Sequence, residues 1–243
     1  MGQSREKFMR EKSKNKLRFE NEPAISAFFL LATLTFPIFS QHLAAAAAEI
    51  KDAESVVEGL QKRYDSTVDF VADFFQETNL KTLNRRVKAW GKVYFRRPGK
   101  MLWRYNEPKG QVFLADGKHL YYYQPEQKQV IKSRLSYAIR SDTPLSFLLG
   151  IGDLKRDFKA TLVSTDKEYY VVRLTPKEAM EGIGDFLLGI EIKEFDILWV
   201  QIEDAIGNVT TIRFSSMQRG VGLRDSIFNL QIPDGVDIVE LGS

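Results

Sequence analysis

Between Glu49 and Ser66 the apolar residues Ile50, Ala53, Val56, Val57, Leu60 and Tyr64 recur at three- and four-residue steps. That spacing draws one apolar stripe along an amphipathic helix. After Ser66 the period falls to two. Val68, Phe70, Ala72 and Phe74 alternate with Asp69 and Asp73, and Val93 and Phe95 alternate with Lys92 and Arg96. Pro98-Gly99 marks a turn, after which Met101, Trp103 and Tyr105 alternate with Lys100 and Arg104. Gln111–Ala115 and Lys118–Gln124 flank Asp116-Gly117, a hairpin signal, and Gln129–Lys132 follows a Pro125-Glu126 turn.

The alternation stops at Arg134. Within Arg134–Phe158, Thr143-Pro144 reads as an N-cap with Pro at the first helical position, and Leu145, Phe147, Leu148 and Leu149 make a short apolar helix closed by Gly150. Strands resume at Lys159–Ser164, Tyr169–Thr175, Phe186–Phe195, Ile197–Glu203, Val209–Phe214 and Ile227–Ile232, most with one apolar parity. The fold class is mainly β with an α lid (α+β). About eleven short strands form a single curved antiparallel sheet, an incomplete β-barrel. The N-terminal helix and the short lid helix close its apolar face. Two helical pieces fill a concave face less densely than a second sheet, which leaves room for a ligand.

Residues 1–48 differ from the rest. Arg5, Lys7, Arg10, Lys12, Lys14, Lys16 and Arg18 precede an apolar run, Ala27 to Phe39, and then Ala44–Ala48. Two readings fit: a cleaved signal peptide (1–48), or an uncleaved anchor. The run is shorter than the roughly 20 residues of a bilayer span, which favours the signal peptide and a 49–243 domain. The leader holds seven of the 35 basic residues and four of the 32 acidic ones, which leaves 28 of each in 49–243. The basic balance therefore belongs to the leader, and nucleic acid is not an expected partner.

Little catalytic chemistry is available. The chain has no cysteine, and His119 is the one histidine outside the leader. Disulfides, thiolate metal sites and cysteine nucleophiles are excluded, and no phosphate loop, nucleophile elbow or zinc-binding His pair is present. No enzyme activity, metal or cofactor is expected. The one-sided apolar residues Phe74, Val93, Phe95, Trp103, Phe186, Leu188 and Ile190 are the candidate lining of a cavity. Arg97 continues the parity of Val93 and Phe95 to the rim of that face. Its guanidinium either donates to acceptors nearby or snorkels to water.

Five stretches then carry a resemblance: "FVADFFQ" (Phe70–Gln76), "GKVYFRRPGKMLWRYNEP" (Gly91–Pro108), "DGKHLYYYQPEQKQV" (Asp116–Val130), "TPLSFLL" (Thr143–Leu149) and "YVVRLTPK" (Tyr170–Lys177). In this order, after an export signal, they resemble the periplasmic outer-membrane lipoprotein carrier family, LolA, across about Ile50 to Ile238. The resemblance implies an open β-barrel whose hydrophobic cavity shelters the acyl chains of lipoproteins in the periplasm. It implies loading by an inner-membrane ABC-type complex and unloading to an outer-membrane receptor lipoprotein, by a monomer. It makes Arg97 a latch to the lid residues Leu145, Leu148 and Leu149, with Phe147 beside them. The alternative is a periplasmic sensor or adaptor on the same half-barrel, binding a protein or lipid signal. The receptor counterpart of the carrier would need a lipidated cysteine, which the chain lacks.

Overall fold

The computed structural model describes residues 52–136, 153–177 and 183–241. The leader and the expected lid helix at Thr143–Leu149 lie outside the described residues. Asp52 caps helix α1 (Ala53–Ser66), its carboxylate accepting from the Ser55 N–H at 2.7 Å. Val56, Val57 and Leu60 form the buried stripe of α1, as their spacing predicts, and Tyr64 is half-buried beside them.

Twelve strands follow among the described residues. They are β1 (Asp69–Leu80), β2 (Arg85–Arg96), β3 (Lys100–Glu107), β4 (Val112–Asp116), β5 (His119–Gln124) and β6 (Gln129–Arg134). After the four-residue helix α2 (Leu154–Asp157) come β7 (Phe158–Thr165), β8 (Tyr169–Pro176), β9 (Ile183–Glu191), β10 (Ile197–Asp204), β11 (Val209–Arg219) and β12 (Asp237–Leu241). All lie in one sheet in the order β12-β6-β5-β4-β3-β2-β1-β11-β10-β9-β8-β7. The margins β7 and β12 are not neighbours, so the barrel stays open. The sheet is antiparallel except at β12, which runs parallel to β6.

Parity places the core. On the inner face Phe74 stands between Phe214 of β11 and Gly91 of β2, and Ala72 faces Val93, which faces Trp103. One inner cluster gathers Phe70, Phe74, Val93, Phe95, Met101 and Trp103. The other lies beneath α1 and gathers Leu60, Val172, Phe186, Leu188, Ile190 and Val200. Phe214 packs against both. Burying one such side chain stabilises the fold by about 1.5–3 kcal/mol.

Four expectations are corrected. Ile227–Ile232 is not a strand: Asp225–Phe228 is a 3₁₀ turn, and the chain around it lies over the outer face of the sheet. Gly220 and Gly222 adopt positive φ (62° and 70°) and break the extended path after β11. The sheet is consequently apolar on both faces at β3 and β4, where Leu102 and Leu114 bury the outer face against Phe228. Val68 precedes β1 and is 67% exposed, so it does not join the Phe70–Phe74 series. The Phe186–Phe195 strand ends at Glu191, and Phe195 sits in the following turn with φ 57°. Its ring covers α1 at Gly59, where an added Cβ would stand 2.5 Å from it.

Candidate functional site

The concave face has a packed part and an open part. All seven expected cavity residues lie on it, in two groups. Phe74, Val93, Phe95 and Trp103 share one cluster, while Phe186, Leu188 and Ile190 share the one beneath α1. None exceeds 6% exposure. Aromatic contacts tie the first group together: Phe74 meets Trp103 edge-on at 4.6 Å and Tyr105 at 5.0 Å, and Trp103 lies 5.9 Å from Phe214. These residues form the floor beneath the open part rather than its surface.

The open part is a cleft of about 520 Å³ lined by Gln76, Val87, Ala89, Tyr105, Pro108, Gln111, Phe113 and Tyr122. Sequence reading did not single out this set. The signal was the same inner parity extended outward, from Val93 past Gly91 to Ala89 and from Trp103 to Tyr105. The tyrosines give the cleft an apolar wall with polar tips. Burial pushes the Tyr105 hydroxyl up to about 12 and raises that of Tyr122, so both phenols stay protonated at neutral pH. The site therefore offers neutral hydrogen-bond groups at the border of an apolar surface. It suits an apolar chain carrying a polar end.

Polar contacts tie α1 to the sheet through Arg63 and Arg97 and to α2 through Gln61 and Glu58, the latter 3.0 Å from Lys155. Arg63 Nε donates to Asp196 at 2.9 Å and its Nη2 lies 3.1 Å from Glu194. Asp196 also pairs with Arg219 of β11. The hydrogen bond from Arg63 to Asp196 raises the guanidinium pKa, so the pair is favoured in its charged form. Leu154 N–H of α2 donates to Gln61 Oε1 at 3.1 Å. Arg97 Nη1 donates to the Tyr64 carbonyl at 3.0 Å and to Asp65 Oδ1 at 3.1 Å, both in the last turn of α1. Arg97 thus stands at the rim, with donors engaged rather than dissolved in water. The expected acceptor segment Leu145–Leu149, with Phe147, lies outside the described residues.

His119 is the first residue of β5 and is half-buried. Its Nδ1 is 3.5 Å from Asp116 Oδ2, and Asp116 Oδ1 accepts the Lys118 and His119 N–H groups at 2.7 Å each. Burial raises the Asp116 carboxyl pKa, but those N–H donors outweigh it and hold the group below its usual range. These contacts shape the β4–β5 turn. Among the described residues no group of three or more histidine, aspartate and glutamate side chains is placed to hold a metal ion.

Comparison with known proteins places this geometry. Residues 65–231 match the family model described as outer membrane lipoprotein carrier protein LolA. The chain is 32% identical over 183 residues to an outer-membrane lipoprotein carrier protein of Methylobacillus flagellatus, covering 75% of this chain and 88% of that protein. It is 29% identical over 214 residues to one of Cupriavidus pinatubonensis, covering 86% and 96%. Among solved structures, an uncharacterized conserved protein from Thermus thermophilus superposes with a TM-score of 0.50 at 12% identity. The superposition covers 78% of this chain and 99% of that one, and it shows a shared fold alone.

Proposed function

This chain belongs to the LolA family of outer membrane lipoprotein carrier proteins, and on that premise we propose that it ferries lipoproteins across the periplasm with their acyl chains sheltered on its concave face. The observation that carries the proposal is the open cleft bordering a continuous apolar floor. Its volume, about 520 Å³, falls in the range of ligand-sized sites. Each CH₂ withdrawn from water is worth about 0.8 kcal/mol, so a lipid anchor crosses an aqueous space too rarely without cover. The leader pattern of residues 1–48 supports export to the periplasm.

Loading and release both require a cover that yields. The α1 contacts through Arg63, Gln61, Glu58 and Arg97 are few: the neutral hydrogen bond at Gln61 is worth about 1 kcal/mol net, and a charge-assisted one about 1.5–3 kcal/mol. Entry of acyl chains beyond the cleft would separate α1 from the Leu188–Ile190 floor, with Leu145, Phe147, Leu148 and Leu149 as a second cover. Energy for that opening comes from an inner-membrane ABC-type loading complex, and an outer-membrane receptor lipoprotein takes the cargo. The test is release. Inner-membrane vesicles carrying a triacylated lipoprotein are incubated with the protein, and the supernatant is assayed for a soluble complex. Lipoprotein appears there only when the carrier is present. Sedimentation of all lipoprotein with the vesicles at every carrier concentration would refute the proposal.

A further inference from the structure

The β1–β2 hairpin projects beyond its neighbour. The β2–β3 ladder ends at Trp90 opposite Glu107, so Arg85–Ala89 extend past β3 by five residues, about 16 Å of strand. Every residue from Lys81 to Lys88 is exposed. Leu83 at the tip is 68% exposed. Beside it lies the β10–β11 turn, whose Ile206 is also 68% exposed. The two turns are joined: Lys81 N–H donates to Asn208 Oδ1 at 2.9 Å, and the Lys81 side chain packs over Gly207. Two apolar tips therefore stand together, with Lys81 at their junction and Arg85, Arg86 and Lys88 following along exposed β2. Lower on β2, Trp90 is 43% exposed.

We propose that the paired tips of the β1–β2 hairpin and the β10–β11 turn form a docking edge for an anionic phospholipid surface. Leu83 and Ile206 enter the headgroup boundary, and the four cations meet lipid phosphates. Exposed apolar tips, a cationic collar and a tryptophan below them combine the elements that favour a bilayer interface. Nearby carboxylates reduce the collar without cancelling it. Asp204, kept ionised by the Ile206 and Asn208 N–H groups, its neighbour Glu203, and Glu77, 3.9 Å from Arg86, set three anions against the four cations. Guarding the unpaired edge of β2 against aggregation would explain the cations. It would not explain two bare aliphatic side chains at the apex.

Topology gives the edge a purpose. The β3–β4 turn, which supplies Pro108 and Gln111 to the cleft, lies at the same end of the sheet as both tips. A bilayer touching the tips would face the cleft mouth. The inference does not depend on carriage of cargo, because bare vesicles suffice to test it.

The absence of cysteine makes the test site-specific. Thr82→Cys in the tip and Lys167→Cys in the β7–β8 turn at the opposite end are labelled separately with a polarity-sensitive fluorophore. Each is titrated with phosphatidylcholine vesicles, with and without phosphatidylglycerol. The label at position 82 should brighten and shift to the blue on phosphatidylglycerol vesicles, and lose the response in high salt. The label at 167 should stay silent, so attachment through the leader cannot mimic the result. Arg85→Glu with Arg86→Glu should weaken the apparent affinity about tenfold or more. Leu83→Asp with Ile206→Asp should abolish the response. A silent label at 82, an equal response to neutral vesicles, or no effect of either variant overturns the proposal. An acidic protein that brightens the label where vesicles do not also overturns it.

Discussion

Asp69→Asn should loosen the outer layer of the protein without disturbing its concave face. Asp69 is 3% exposed, on the outer side of β1. Its two carboxylate oxygens accept the Val221 and Leu223 N–H groups, each at 2.8 Å, and its carbonyl accepts the Gly220 N–H at 3.1 Å. Arg96, its cross-strand partner on β2, donates to the Leu223 carbonyl at 2.7 Å. Asp69 therefore fastens the chain where it leaves β11 and turns across the sheet, ahead of buried Phe228. A hydrogen bond to a charged group contributes about 1.5–3 kcal/mol, and a buried N–H without an acceptor costs about 1–3 kcal/mol. The asparagine keeps one oxygen and turns an NH₂ toward the other N–H, so the expected loss is about 2–4 kcal/mol. That is a large part of the roughly 5–15 kcal/mol typical of a domain. Urea unfolding should show a lower midpoint with an unchanged slope, and amide exchange should accelerate in Val221–Leu230. Asp73→Asn is the control: its partner Lys92 forms an exposed pair, and the midpoint should barely move. A loss below about 0.5 kcal/mol for Asp69→Asn, or unaltered exchange in Val221–Leu230, would refute the clamp.

Three other outcomes are expected. Gly91→Ala places a Cβ 1.9 Å from the Arg104 carbonyl oxygen, so β2 and β3 must separate; thermal unfolding should show a loss of about 3 kcal/mol. Glu58 is held by Lys62 and then Lys155 from its ordinary 4.5 down to about 2, so its contribution is present above pH 4.5 and fades as pH falls toward 2. An NMR titration of its carboxyl should show that low midpoint, with faster exchange at the α1–α2 contact on the acid side. Arg97→Leu removes the donors to Tyr64 and Asp65, so amides in the last turn of α1 should exchange faster and an apolar dye should enter faster. Arg97→Lys should recover only part of the effect, because an ammonium lacks the forked donor set, and full recovery in stopped-flow uptake would argue against the fork.

Local periodicity carries much of this fold in the sequence. The α1 stripe, the Asp116-Gly117 hairpin and the inner parity of Phe70–Phe74 and Val93–Phe95 are readable because each element buries one face. The run Met101-Leu102-Trp103 carries a further message. Three successive apolar residues in a strand mean burial on both faces, and Leu102 meets the outer layer around Phe228. That layer is hidden in the sequence because its path depends on Asp69 and Arg96, more than a hundred residues away. Phe228, Leu230 and Ile232 alternate as a strand would, yet Gly220, Gly222 and the side-chain clamp send the chain over the sheet instead of along its edge. The candidate site was legible as a face but not as an opening. Phe186, Leu188 and Ile190 are on that face, but whether they meet ligand or α1 depends on packing across the sheet. Alternation along a strand does not record that packing.

The central claim is that the concave face takes acyl chains, and competitive displacement measures this directly. An environment-sensitive apolar dye is bound to the protein, then challenged with a triacylated lipopeptide and with the same peptide lacking its acyl chains. The lipopeptide should release the dye at stoichiometric concentrations, and the bare peptide should not. Ala89→Trp, which fills the cleft, should reduce dye binding while leaving the β circular dichroism spectrum intact. Failure of the dye to bind the wild-type protein, or equal displacement by both peptides, would contradict the account.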